Sequence, residues 1–271
     1  MARYSVAVVI LLTSCASVRT IPIVYTPAVA RDAAGRHDYE TAVQAIAAVM
    51  VEDLSLPRLD SVLMVYPHVG VYEMGLRMEL DDRPNAADRS VAFAVASCGR
   101  RKVLADGRRL AELSWPNRVR TLAHEMIHLA QFELADWSCN APPYWLMEGF
   151  AEWGALKVVD KLGLGNFATA VESSKKAVTA VRGAELPGLD RLYSEAQWAA
   201  AEETVGRSAV YSESLLAVDF LIGRKGLAAV KDYFASFKES GTGGDRFVAA
   251  FGDDGRTFAI EFMAYVKNRS L

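Results

Sequence analysis

The sequence predicts an α+β fold in which a small sheet comes first and a run of helices follows. Short β-rich apolar runs occur only before residue 106, whereas from residue 117 onward apolar positions recur with helical spacing between glycine-marked breaks. The chain has 271 residues, 52% of them apolar and 23% charged, enough to bury the core of one large domain or of two closely packed lobes.

The elements follow in order. Arg3 precedes an apolar run over residues 6–12, far short of the ~20 residues that a spanning helix needs, so residues 1–14 read as a signal peptide. The run ends in Leu12-Thr13-Ser14-Cys15, which resembles a bacterial lipobox with Cys15 as the lipidated residue. A plain signal peptide or a buried N-terminal strand are the alternatives. Residues 15–36 then form a lipidated N-terminus and tether, anchoring an exported domain to the cell envelope. Ala16, not Asp, follows the cysteine, which favours the periplasmic side of the outer membrane in a cell with two membranes.

Residues 37–140 form the α/β lobe. Helical spacing covers 38–54 and 71–80, and strands are expected at 59–66, 91–96 and 102–105, with a turn cluster at 81–85. Asn117 is the expected N-cap of a helix reaching Leu134, with Val119, Leu122, Ala123, Met126, Ile127 and Ala130 as its apolar stripe. Residues 141–271 form the helical lobe, opened by Pro142-Pro143 with Pro143 in the first turn. Its breaks are expected near Gly163 and Gly165, Gly188, Gly206, Gly223, 241–244 and 252–255.

Thirty basic residues against 33 acidic ones give a net charge of −3, and no basic run occurs, so nothing points to nucleic acid as a partner. Export would leave Cys98 and Cys139 either as a disulfide, typically worth about 3–4 kcal/mol for a loop of this length, or as two buried thiols.

The chemistry concentrates in His124-Glu125-Met126-Ile127-His128. Residues four apart on a helix leave the same face one turn apart, so both imidazoles can share one ion. Glu125 stands beside them, able to reach a metal-bound water as general base without ligating the metal. Two histidines merely packed on a helix face are the bland alternative. Gln131 and Leu134 occupy the positions where an extended metzincin pattern needs Gly and His, so that class is excluded. No histidine follows His128, which leaves a carboxylate or a cysteine as third ligand.

Downstream stands Trp145-Leu146-Met147-Glu148-Gly149-Phe150-Ala151-Glu152. Together with HEMIH it resembles the gluzincins, the thermolysin-like and aminopeptidase N-like zinc metallopeptidases, and is most similar to bacterial peptidase MA-like domains. The likeness is specific over residues 121–153. It implies a zincin-like N-terminal lobe, one Zn2+ held by His124, His128 and Glu148, and hydrolysis of a peptide or protein substrate. Glu148 follows His128 by twenty residues, as the resemblance requires. Glu152, four residues on, is implied to accept a hydrogen bond from a ligating imidazole, His124, the alternative being a solvent-facing carboxylate. Trp145 and Leu146 read as core anchors.

Thermolysin-like enzymes stabilise the oxyanion with a downstream histidine, which this chain lacks. Aminopeptidase N-like enzymes use a tyrosine, and Tyr211 is the candidate, with Tyr193 and Arg207 as competitors and simple packing as the alternative. The resemblance also suggests that a peptide adds to a strand edge at 91–96 or 101–105. His37 and His68 have no metal-ligand neighbours and read as surface or structural. The rival function is a non-catalytic zinc-binding or structural lipoprotein on the same scaffold, which would have no need for Glu125.

Overall fold

The structure, a computed structural model, describes residues 17–27, 36–80, 94–97, 100–138, 142–181, 186–239 and 243–268. The signal peptide, Cys15, the turn cluster at 81–85, residues 91–93 of the expected third strand, Cys98 and Cys139 lie outside the described residues.

Four strands form one mixed sheet: β1 (Arg19–Val24), β2 (Asp60–Tyr66), β3 (Ala94–Ser97) and β4 (Lys102–Asp106), in the order β1-β2-β4-β3. β1 runs antiparallel to β2, β2 parallel to β4, and β3 antiparallel to β4. β1 falls inside the stretch expected to be tether. Its Ile21 and Ile23 alternate with exposed Thr20, Pro22 and Val24, and Pro22 is tolerated because β1 is an edge strand.

The period of two gives each sheet face its own helices. Ile21, Ile23, Leu63, Val103 and Ala105 face α1 (Tyr39–Glu52) and α4 (Trp115–Leu134) in the main core. Tyr66, Val95 and Leu104 point the other way, against Tyr72 and Leu76 of α2 (Val69–Leu80). Asp38 caps α1, accepting from the backbone N–H groups of Glu40 and Thr41. A short α3 (Gly107–Glu112), not expected from the sequence, starts at Asp106, which caps it in the same way.

The helix carrying HEMIH starts two residues before the expected Asn117. Ser114 is its N-cap and Pro116 sits in its first turn, where a missing N–H costs nothing. The whole expected stripe of α4 is buried. α5 (Tyr144–Lys161) is preceded by Pro143 as N-cap and is buried along most of its length, including Trp145 and Leu146. It lies between α4 and α8 (Arg207–Ala235), with α6 (Phe167–Thr179) and α7 (Glu195–Val205) also packed on α8. α8 breaks at Gly226 (φ 84°), not at Gly223, since only Gly226 adopts the left-handed backbone that glycine accepts freely. Helices α9 (Gly243–Phe251) and α10 (Gly255–Asn268) close the chain around an aromatic cluster of Phe247, Phe251, Phe258 and Phe262. Among the described residues all four strands precede the helix carrying HEMIH and only helices follow it, the α+β order expected.

Candidate metal centre

Two glycines decide how closely three helices meet here. A Cβ on Gly154 would fall 2.8 Å from Ile127 Cδ1, so its absence lets α5 close on α4. A Cβ on Gly149 would fall 2.5 Å from the Ser214 carbonyl oxygen, so the residue next to Glu148 is where α5 and α8 nearly touch.

Within that contact His124 and His128 project from α4 with their Nε2 atoms 3.1 Å apart. Glu148 comes from α5, its Oε2 3.2 Å from His124 Nε2 and its Oε1 3.5 Å from His128 Nε2. One donor atom from each residue lies within 4.8 Å of the others, so these three side chains form a cluster that could hold a metal ion. His128 and Glu148 are buried, and His124 is nearly so.

No family model, curated protein or solved structure matches the chain. The centre must therefore be understood from its own geometry.

Each imidazole is oriented from behind. Glu152 Oε2 lies 3.4 Å from His124 Nδ1, and Gln131 Oε1 lies 2.8 Å from His128 Nδ1. Both partners are acceptors at those atoms, so each Nδ1 carries a hydrogen and each Nε2 is the atom turned to the cluster. Arg120 donates to the second oxygen of Glu152, and the Gln131 amide donates to the Met147 carbonyl at 2.8 Å. Glu152 is buried, not solvent-facing. Gln131 and Arg120 are site residues that the sequence reading missed. Their spacing was a usable signal, because Gln131 follows His128 by three and Arg120 precedes His124 by four, on the same helix face.

Glu125 turns to the sheet edge, where its Oε2 accepts the backbone N–H of Ala96 on β3 at 2.6 Å. Nothing in the sequence marks a backbone donor, so this contact was not foreseeable. Three carboxylates, Glu148 and Glu152 buried and Glu125 partly so, thus surround two imidazoles. Burial pushes the Glu125 carboxyl up despite the nearby imidazoles, while in Glu148 burial is outweighed by the charge of His128 and hydrogen bonds from both rings, which hold it well below the carboxylate range. For Glu152 burial is likewise overridden, by His124 and Arg120. Burial would lower His124, yet Glu148 and Glu152 raise it to about 10. The donor set calls for positive charge between its rings, the chemistry of a cation site.

Tyr211 closes one side. Its ring centroid is 6.3 Å from that of His124, it meets Trp198 edge-on at 4.9 Å, and its hydroxyl accepts from Arg207 Nη2 at 3.2 Å. Burial and the charge on Glu148 hold its hydroxyl protonated far above neutrality, against the opposing pull of Arg207. Tyr193 lies elsewhere: its hydroxyl points at Gly243, where a Cβ would meet it at 2.7 Å. His37 is exposed and stacks on Trp115 at 5.1 Å.

Proposed function

We propose that this chain is a zinc-dependent peptidase of the gluzincin kind. The observation that carries it is the spacing of three donor atoms from two neighbouring helices. Tetrahedral zinc with bonds of about 2.0–2.1 Å needs ligand atoms about 3.3 Å apart; the two Nε2 atoms are 3.1 Å apart, and each has one or the other Glu148 oxygen at 3.2 or 3.5 Å. Two imidazoles and one carboxylate are the protein donors of a catalytic zinc site, whose fourth position goes to water, and binding the metal would displace the proton that His124 holds.

Zinc held by His124, His128 and Glu148 would supply a Lewis acid for a peptide carbonyl and lower the pKa of water toward ~7. Glu125, held by the Ala96 N–H, takes the proton of the attacking water and later returns it to the leaving amine. Tyr211 donates to the oxyanion that forms at the carbonyl. Arg207 occupies an acceptor site on the Tyr211 oxygen, so the phenolic hydrogen is left to donate. β3 is an edge strand among the described residues, and its edge beside Glu125 suits an extended peptide.

Metal analysis of the purified protein comes first, and one zinc per chain is expected. Casein or a peptide mixture is then digested with and without chelator. Zinc-loaded wild type should cleave, Glu125→Gln should keep zinc and lose cleavage, and His128→Ala should lose both. Stoichiometric zinc without cleavage would instead support the non-catalytic lipoprotein. Equal cleavage by wild type and Glu125→Gln would rule out the role given to Glu125.

The proposal includes a lipid anchor at Cys15, on the strength of the N-terminal sequence. Among the described residues no helix is long and apolar enough to cross a membrane. Cys15→Ala should move the protein from the membrane to the soluble fraction.

A further inference from the structure

The cations around the centre are not equivalent. Arg120 is committed to Glu152, Arg101 to Glu133 and to the face of Trp137, and Lys102 to Glu79. Arg207 differs. It stands in the first turn of α8, directly after Gly206 (φ 88°), with its side chain 65% exposed. Its guanidinium lies 4.9 Å from the centroid of the Tyr211 ring, one aromatic ring away from His124. The nearest acid, Glu202, is 3.9 Å from its Nε, and the same Glu202 oxygen already accepts the Trp198 indole N–H at 3.0 Å.

A guanidinium has five N–H donors in a rigid fork that fits a carboxylate with two parallel bonds. Here one nitrogen engages Tyr211, and no carboxylate among the described residues is paired with it in that fashion. Stacking on the phenol ring fixes its plane without neutralising its charge. An extended peptide advances about 3.4 Å per residue, so a carboxylate one or two residues from a carbonyl at the metal position can reach past the Tyr211 ring.

We infer that Arg207 is a specificity-determining residue that binds a carboxylate of the peptide substrate, close to the bond being cut. The carboxylate is either the free C-terminus or an Asp or Glu side chain. This inference rests on the peptidase reading and narrows its substrate class to peptides that carry an anion beside the scissile bond.

The test uses a peptide cleaved in the casein digest, resynthesised in two matched pairs: free against amidated C-terminus, and Glu against Gln beside the cleavage site. Zinc-loaded wild type should favour one carboxylate form by about tenfold or more in kcat/KM, mostly through KM, as expected for a charge-assisted bidentate pair. Arg207→Gln should cut both forms with nearly equal efficiency, and Arg207→Lys should keep part of the preference. Any slowing through Tyr211 affects both members of a pair alike and leaves the ratio untouched. The same ratio is read without turnover from dissociation constants by calorimetry on Glu125→Gln, with and without Arg207→Gln. Loss of the preference on amidation identifies the terminal carboxylate, and loss on the Glu-to-Gln change identifies the side chain. Wild type that cuts both forms equally, or Arg207→Gln that keeps the preference, overturns the inference and leaves the peptidase reading standing. Zinc-loaded wild type that cuts no peptide removes both.

Discussion

Gln131 ties His128 to the following helix. Its Oε1 lies 2.8 Å from the imidazole Nδ1, and its amide donates to the carbonyl of Met147, one residue before Glu148. One side chain thus sets the tautomer of one donor residue and the position of another. Gln131→Leu keeps most of the volume and removes both bonds. Metal affinity should fall about 10–100-fold, the usual cost of losing such a partner, read by competition with a chromophoric chelator. Unchanged affinity would mean that packing alone orients the ring.

Tyr211→Phe removes the phenolic hydrogen and keeps the ring against Trp198. Loss of one oxyanion donor typically costs about 10²–10³ in kcat. The expected result is a drop of that order with zinc content and KM close to wild type. A variant with wild-type kcat would return Tyr211 to a packing role.

Gly149 and Gly154 should differ in their response to alanine. At Gly154 the new methyl meets Cδ1 and Cγ1 of buried Ile127 at 2.8 and 2.9 Å, a side chain that must shift, and the gain in helix propensity, about 1 kcal/mol, offsets part of the crowding. At Gly149 it meets the Ser214 backbone at 2.5 Å, so α5 and α8 must separate, and overpacking of this kind costs about 1–3 kcal/mol. Gly149→Ala should therefore lower the melting temperature and metal occupancy together, and by more than Gly154→Ala, in which a side-chain shift relieves part of the clash. Equal behaviour of the two variants would contradict this account.

Glu213 is fully buried on α8, and burial pushes its carboxyl up to about 7 although the Gly188 backbone pulls it down. The unfolded chain ionises near the ordinary value of 4.5. The folded state holds the extra proton, so its advantage is complete below about pH 4.5 and is lost as pH rises through 7. Wild type should lose about 3 kcal/mol relative to Glu213→Gln across that window, measured by denaturant melts at pH 5 and pH 8. A gap between the two proteins that does not change with pH would show that Glu213 ionises normally.

Much of the fold and the core of the centre could be read from the chain, because both depend on local periodicity. The α4 stripe, the i,i+4 histidines and the break at Gly206 all follow from helix geometry. What escaped depended on tertiary neighbours. β1 reads as tether because Pro22 interrupts it, and only its edge position makes that proline acceptable. Gly223 and Gly226 are equivalent in sequence, and packing decides which one takes the positive φ. The Ala96 N–H leaves no trace in sequence at all, since every residue but proline has one.

For the lipid-anchored peptidase proposed above, the strand in place of a tether sets where it would work. Only three residues separate Cys15 from Arg19, a leash of about 10–14 Å at full stretch. Ala94 and Arg19 lie at the same end of the sheet, and the opposite edges are three strand spacings, about 14 Å, apart. An acyl chain on Cys15 would therefore keep the β3 edge within about 28 Å of the lipid headgroups, leash and sheet width together. Proteins whose scissile segment emerges close to the bilayer would be within its reach, and those that keep it farther out would not.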